Sequence, residues 1–139
     1  MGRILAIDYG GKRTGLAATD PSRIIVSPLE TVDTTNLTPY LKNYIPNNKV
    51  DQIVVGFPVN PNGDENPIVK QIRLFTDNLK RLFPDIPLAF YDEQYTSKQA
   101  VDVMLAGGFG KKYRATKGNT DKMAAALILQ GWMEENGMN

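Results

Sequence analysis

Residues 5–15, LAIDYGGKRTG, run an apolar stretch into Asp8 and then turn through Gly10, Gly11 and Gly15. A carboxylate at a strand end has two physical uses. The commoner is to accept hydrogen bonds from the amides of a tight turn; the other is to bind something positive, where glycines leave room for a metal ion or a phosphate. Asp92 and Glu93 occupy a similar setting in residues 90–97, FYDEQYTS. Strand side chains alternate, so these two acids point to opposite sides and only one of them can share a site with Asp8. Asp121 is separated by one residue from residues 123–129, MAAALIL, a run so apolar that it must be buried on most sides, which sets the acid beside protein rather than bulk water. A negative side chain in a helix's first turn is also favourable against the macrodipole, so a purely structural use stays open there.

The chain contains no cysteine and no histidine. Disulfides, cysteine nucleophiles, Ser-His-Asp triads and His/Cys zinc sites are excluded within it. A metal would be held by oxygen ligands, which selects magnesium or manganese over zinc, copper or iron. An enzyme made from this chain works with carboxylates.

Sixteen Lys and Arg nearly cancel fifteen Asp and Glu, for a formal net charge of +1, so no global field marks a nucleic-acid or membrane protein. The local asymmetry is sharper. Residues 107–120 carry Lys111, Lys112, Arg114 and Lys117 and no acid. Such a run is ordinarily a solvated loop, but the interleaved Phe109 and Tyr113 suit stacking on bases while the cations neutralise phosphates. Lys12 and Arg13 add positive charge beside Asp8. In residues 54–63, VVGFPVNPNG, Gly56 and Asn60 either border a site beyond a strand's carboxyl end or merely steer a crossover.

The elements that must position these residues follow from pattern. Residues 3–9, 14–19 and 24–31 read as three short strands in an antiparallel meander. Leu37, Tyr40, Leu41, Tyr44 and Ile45 form the stripe of an amphipathic helix that Pro46 stops. Residues 52–56 form a buried strand. Asn66 caps a helix that opens on Pro67, and Ile68, Ile72, Phe75, Leu79 and Leu82 mark its buried face. Residues 88–93 form a fifth strand, and Thr96 with Gln99 makes a capping box for a helix through Ala106. A mobile loop over 107–118 precedes a last helix from near Thr120 to before Gly137. The order βββαβαβαα predicts an α/β fold with a mixed five-stranded sheet and helices on both faces. The 139 residues suit one domain, 1–139. No run is apolar enough to span a bilayer and no signal-peptide pattern opens the chain, so a cytoplasmic location without membrane contact is expected.

Four segments in this order, AIDYGGKRTG, VVGFPVNPNG, DEQYTS and GNTDKMAAALIL, resemble the YqgF family, also called RuvX-type Holliday junction resolvases or pre-16S ribosomal RNA nucleases. The resemblance runs nearly end to end. It implies a ribonuclease H-like three-layer fold, in agreement with the element order. It also implies that Asp8, Glu93 and Asp121 are catalytic and hold one or two magnesium or manganese ions, with Asp92 the neighbouring candidate. Gln94 stands where the family usually has arginine, and Lys98 is the candidate to supply that phosphate contact. The implied reaction is metal-assisted phosphodiester hydrolysis, with Lys12, Arg13, Lys98, Lys111, Lys112, Arg114 and Lys117 binding nucleic acid. Precursor ribosomal RNA is the expected substrate and branched DNA the alternative. A monomer or weak homodimer is expected; junction resolution would require two symmetric sites, so a strict monomer counts against the branched-DNA alternative. A non-catalytic nucleic-acid-binding factor in transcription or ribosome assembly, with a weak metal site, is a further alternative. The phosphate hairpin of the actin and sugar-kinase fold ranks last, because the chain has one domain's length and no second acidic-glycine hairpin.

Overall fold

The computed structural model describes residues 2–57, 67–92 and 117–138, and side chains within these except those of 117–120. Strands β1 (Arg3–Asp8), β2 (Arg13–Thr19) and β3 (Val26–Asp33) form the expected meander. A short 3-10 turn, Thr34–Asn36, leads into α1 (Leu37–Asn47); β4 (Val50–Phe57), α2 (Ile68–Leu82), β5 (Leu88–Asp92) and α3 (Lys117–Glu135) follow. The five strands lie in the order β3-β2-β1-β4-β5. The meander pairs are antiparallel, whereas β1 with β4 and β4 with β5 are parallel. Parallel neighbours require crossovers, and α1 and α2 supply them.

Alternation along the strands sorts the core into two faces. Leu5 and Ile7 of β1, Leu16 and Ala18 of β2, and Ile53 and Val55 of β4 pack with Leu37, Leu41 and Ile45 of α1 and with Ile72 and Leu79 of α2. Ile4, Ala6 and Val54 point the other way, onto Ile128, Leu129 and Met133 of α3. The sheet is thus the middle of three layers. Each fully buried Leu or Ile contributes roughly 1.5–3 kcal/mol to holding the layers together. Helix α2 reaches its face through Val69, Ile72, Thr76 and Leu79, spaced at helical period. Helix α3 approaches the sheet through small residues near its middle, where Ala125 and Ala126 meet Ala17.

Most strand boundaries shift from the sequence expectation by one or two residues, and three differences are larger or have a specific local cause. Pro46 lies inside α1 rather than ending it. It occupies the exposed last turn, where its missing N–H removes one bond, and the Asn48 N–H still closes on the Tyr44 carbonyl at 3.0 Å. β3 begins at Val26 because the Asp20 carboxylate accepts the Ile24 and Ile25 amides at 2.8 and 2.9 Å, committing both to the turn. α3 begins at Lys117, so Lys117 and Gly118 belong to the helix and not to the expected loop. The expected cap at Asn66, the helix to Ala106 and residues 107–116 lie outside the described residues.

Candidate active site

The hairpin joining β1 to β2 is fastened by two threonines. Thr14, fully buried, places its Oγ1 2.9 Å from the Thr34 Oγ1 and accepts the Gly10 N–H at 3.4 Å. The Thr34 hydroxyl donates to the Gly10 carbonyl at 2.6 Å, and its N–H donates to the Lys12 carbonyl at 2.9 Å. The turn is so tight at Gly10 that a Cβ there would stand 2.2 Å from the Arg13 carbonyl oxygen. These bonds hold Asp8 and Arg13 at facing ends of the two strands.

Asp8 pairs with Gly15 across the ladder. It shares the parity of Ile4 and Ala6, which places it on the α3 face. Gly15 and Arg13 fall on that face too, two and four residues before Ala17. Helix α3 then crosses directly over Gly15, where a Cβ would stand 2.1 Å from the Asp121 carbonyl oxygen. The Asp121 carboxylate Oδ2 accepts the Arg13 Nε–H at 3.2 Å, across 108 residues of sequence. Both side chains are partly exposed, 36% for Arg13 and 26% for Asp121.

Asp121 is the fifth residue of α3, and the helix has no acid in its first turn. The macrodipole account of this carboxylate therefore fails, since that effect fades beyond the first turn. What Asp121 has instead is a place on the sheet face of Asp8 and a pairing with Arg13.

Asp92 goes elsewhere. It pairs with Phe57 in the parallel ladder and continues the parity of Leu88 and Phe90, toward the α2 face. Glu93, the next residue, lies outside the described residues, as do Lys98, Lys111, Lys112 and Arg114. Lys12 is exposed at the hairpin tip and Lys117 opens α3. Two clefts of about 340 Å³ sit on the α1–α2 face, one beside Phe57 and Phe90 and one beside Tyr9 and Phe75, away from the side of the sheet that carries Asp8.

The donor set near α3 is carboxylate oxygen, which suits a hard cation such as magnesium or manganese. Asp8 and Asp121 share one face, and Arg13 shows that this face already holds a positive group against a carboxylate. Among the described residues no three acids cluster as a metal cage, and Asp8 and Asp121 are two carboxylates on this face. In that respect the residues fit the ion.

Sequence reading missed the Arg13–Asp121 pair and the Thr14–Thr34 fastening. No spacing signal links residues 108 apart. Of the three glycines for which the sequence allows either a turn or an open approach, Gly10 and Gly15 are filled against backbone and only Gly11 fronts open space.

A mixed five-stranded sheet, helices on both faces and an acid at the end of its central strand define a ribonuclease H-like protein. The fold is similar to that of Fowlpox virus resolvase in complex with Holliday junction DNA (TM-score 0.63, 12% identity, 96% of this chain and 98% of that one). It is also similar to Thermus thermophilus RuvC in complex with a Holliday junction substrate (TM-score 0.60, 16% identity, 98% and 97%). The chain belongs to the RuvX family, whose model, described as Holliday junction resolvase, matches residues 2–135. Relatives named "Putative pre-16S rRNA nuclease" include one from Amoebophilus asiaticus, 45% identical over 96% of this chain and 94% of its own length. Another, from Parabacteroides distasonis, is 44% identical over 96% of both.

Proposed function

We propose that this chain is a divalent-metal-dependent endonuclease that hydrolyses phosphodiester bonds in 5′-end processing of pre-16S ribosomal RNA. The observation that carries this reading is the delivery of Asp8 from β1 and Asp121 from α3 to one face of the sheet, across Gly15. The names of the 45% and 44% identical relatives support the substrate.

Asp8, Asp121 and Glu93 would hold magnesium or manganese. Glu93 is preferred to Asp92 because Asp92 takes the parity of the α2 face. When bound, the ion supplies the positive charge that lowers the pKa of a water and stabilises the leaving oxygen. The chain's own residues do the rest. With no histidine present, carboxylate oxygen is the group available to accept the water's proton. Lys12 and Arg13 at the hairpin, with Lys98, Lys111, Lys112, Arg114 and Lys117, neutralise backbone phosphates and position the scissile bond in line. Cleavage of RNA by a monomer is consistent with this arrangement.

The description of the family model favours a second reading, four-way junction DNA as substrate. Incubating the purified chain with end-labelled precursor RNA and with a labelled junction, with and without magnesium, separates the two. Magnesium-dependent cuts confined to the RNA support processing. Symmetric cuts in the junction alone, by a dimer, replace it with resolution, and binding without cleavage of either replaces it with a non-catalytic factor.

A further inference from the structure

The ion pair between Arg13 and Asp121 is loosely made. Among the described residues the guanidinium makes one contact, through Nε, rather than the two-bond fork by which arginine grips a carboxylate firmly. That contact, at 3.2 Å, is longer than the 2.7–2.9 Å usual for a charge-assisted bond, and both partners are partly exposed. Asp33 stands opposite Arg13 in the β2–β3 ladder, yet the guanidinium is turned to Asp121. The backbone beneath it is rigid, because Thr14 and Thr34 fasten the hairpin. A long cationic side chain on a fixed base, lightly held to one acid, is built to exchange partners.

We propose that Arg13 is the built-in counter-ion of Asp121, which a divalent cation displaces on binding. This rests on the reading that Asp8 and Asp121 hold the metal. In the metal-free chain the guanidinium offsets the charge of a carboxylate that lies on the same sheet face as Asp8. A doubly charged ion at Asp121 competes for the same oxygen and repels the guanidinium. The released side chain keeps its planar fork, the geometry that matches a phosphate, at the edge of the site where a nucleic-acid backbone would enter. Arg13 is therefore a positioning residue with two alternating partners, and it makes metal binding weaker than the carboxylates alone would allow.

The test is a manganese titration of the full chain, read by loss of the free-ion EPR signal, for wild type, Arg13→Gln, Arg13→Lys and Lys12→Gln. Removing an exposed ion-pair partner that competes with the metal tightens the manganese Kd of Arg13→Gln by roughly two- to fivefold. Lys12→Gln removes the same charge one residue away without touching the pair, and changes Kd by less than half of that factor. Arg13→Lys, which keeps the charge and folds if the neutral variant does not, stays nearer to wild type. An unchanged or weaker Kd in Arg13→Gln, or an equal gain in Lys12→Gln, overturns the counter-ion role while leaving the carboxylate site standing. If wild type binds no manganese that Asp8→Asn abolishes, the carboxylate site itself is wrong and the counter-ion role falls with it.

Discussion

The Cα of Gly15 lies so close under the backbone of Asp121 that a methyl group at position 15 would stand 2.1 Å from the Asp121 carbonyl oxygen. Gly15 is also the ladder partner of Asp8. One absent side chain thus lets a helix from the end of the chain bring its acid over the ladder partner of the first.

Gly15→Ala meets the backbone of Asp121 and Lys122, which is no flexible side chain that can be pushed aside. Stability should fall by about 1–3 kcal/mol or more, as overpacking at a close approach does, in urea denaturation. Gly11→Ala, which faces open space, should stay within about 0.5 kcal/mol of wild type.

At the other end of α3, a Cβ on Gly131 would stand 2.2 Å from the Tyr91 hydroxyl, the far end of a side chain that can swing. Gly131→Ala should therefore cost less than Gly15→Ala. Its cost should shrink further in a Tyr91→Ala background, and a double-mutant cycle measures that coupling.

Thr14→Val keeps the shape of a fully buried residue while removing the hydroxyl that joins Thr34 and Gly10. A loss of about 1–3 kcal/mol is expected from the unsatisfied partners, with Thr14→Ser costing less. Denaturation midpoints at constant m-value decide this.

Asp20 should titrate below the ordinary aspartate value of 3.8, because the Ile25 and Ile24 amides donate to its charged form. Its folded pKa is the depressed one, so the stabilisation is fully present above the unfolded value and disappears as pH falls through the folded pKa. An NMR titration of the Asp20 carboxyl carbon reads the shift directly, and Asp20→Asn should flatten the acid limb of stability.

Much of this arrangement was legible in local pattern. The meander, the two crossovers and the parity that lets only one of Asp92 and Glu93 share a face with Asp8 follow from alternation and from Gly and Pro punctuation, which act over a few residues; which of the two it is came from the β4–β5 register. What pattern could not reach was decided by tertiary contact. Helix α3 runs three residues further toward its N-terminus than its apolar run suggested, which moved Asp121 out of the first turn. Gly15 reads as turn chemistry in isolation, yet its purpose lies in a helix more than a hundred residues away. Pro46 is tolerated because its turn is exposed. The pairing of Arg13 with Asp121 has no counterpart in either local segment.

The central claim is that Asp8 is a metal ligand of a nuclease and not only a turn residue. Asp8→Asn removes the charge and keeps the shape. With end-labelled precursor RNA and magnesium, wild type should cut, chelation with EDTA should stop it, and Asp8→Asn should not cut while melting at the wild-type temperature. Cleavage by a folded Asp8→Asn at the wild-type rate would contradict the account.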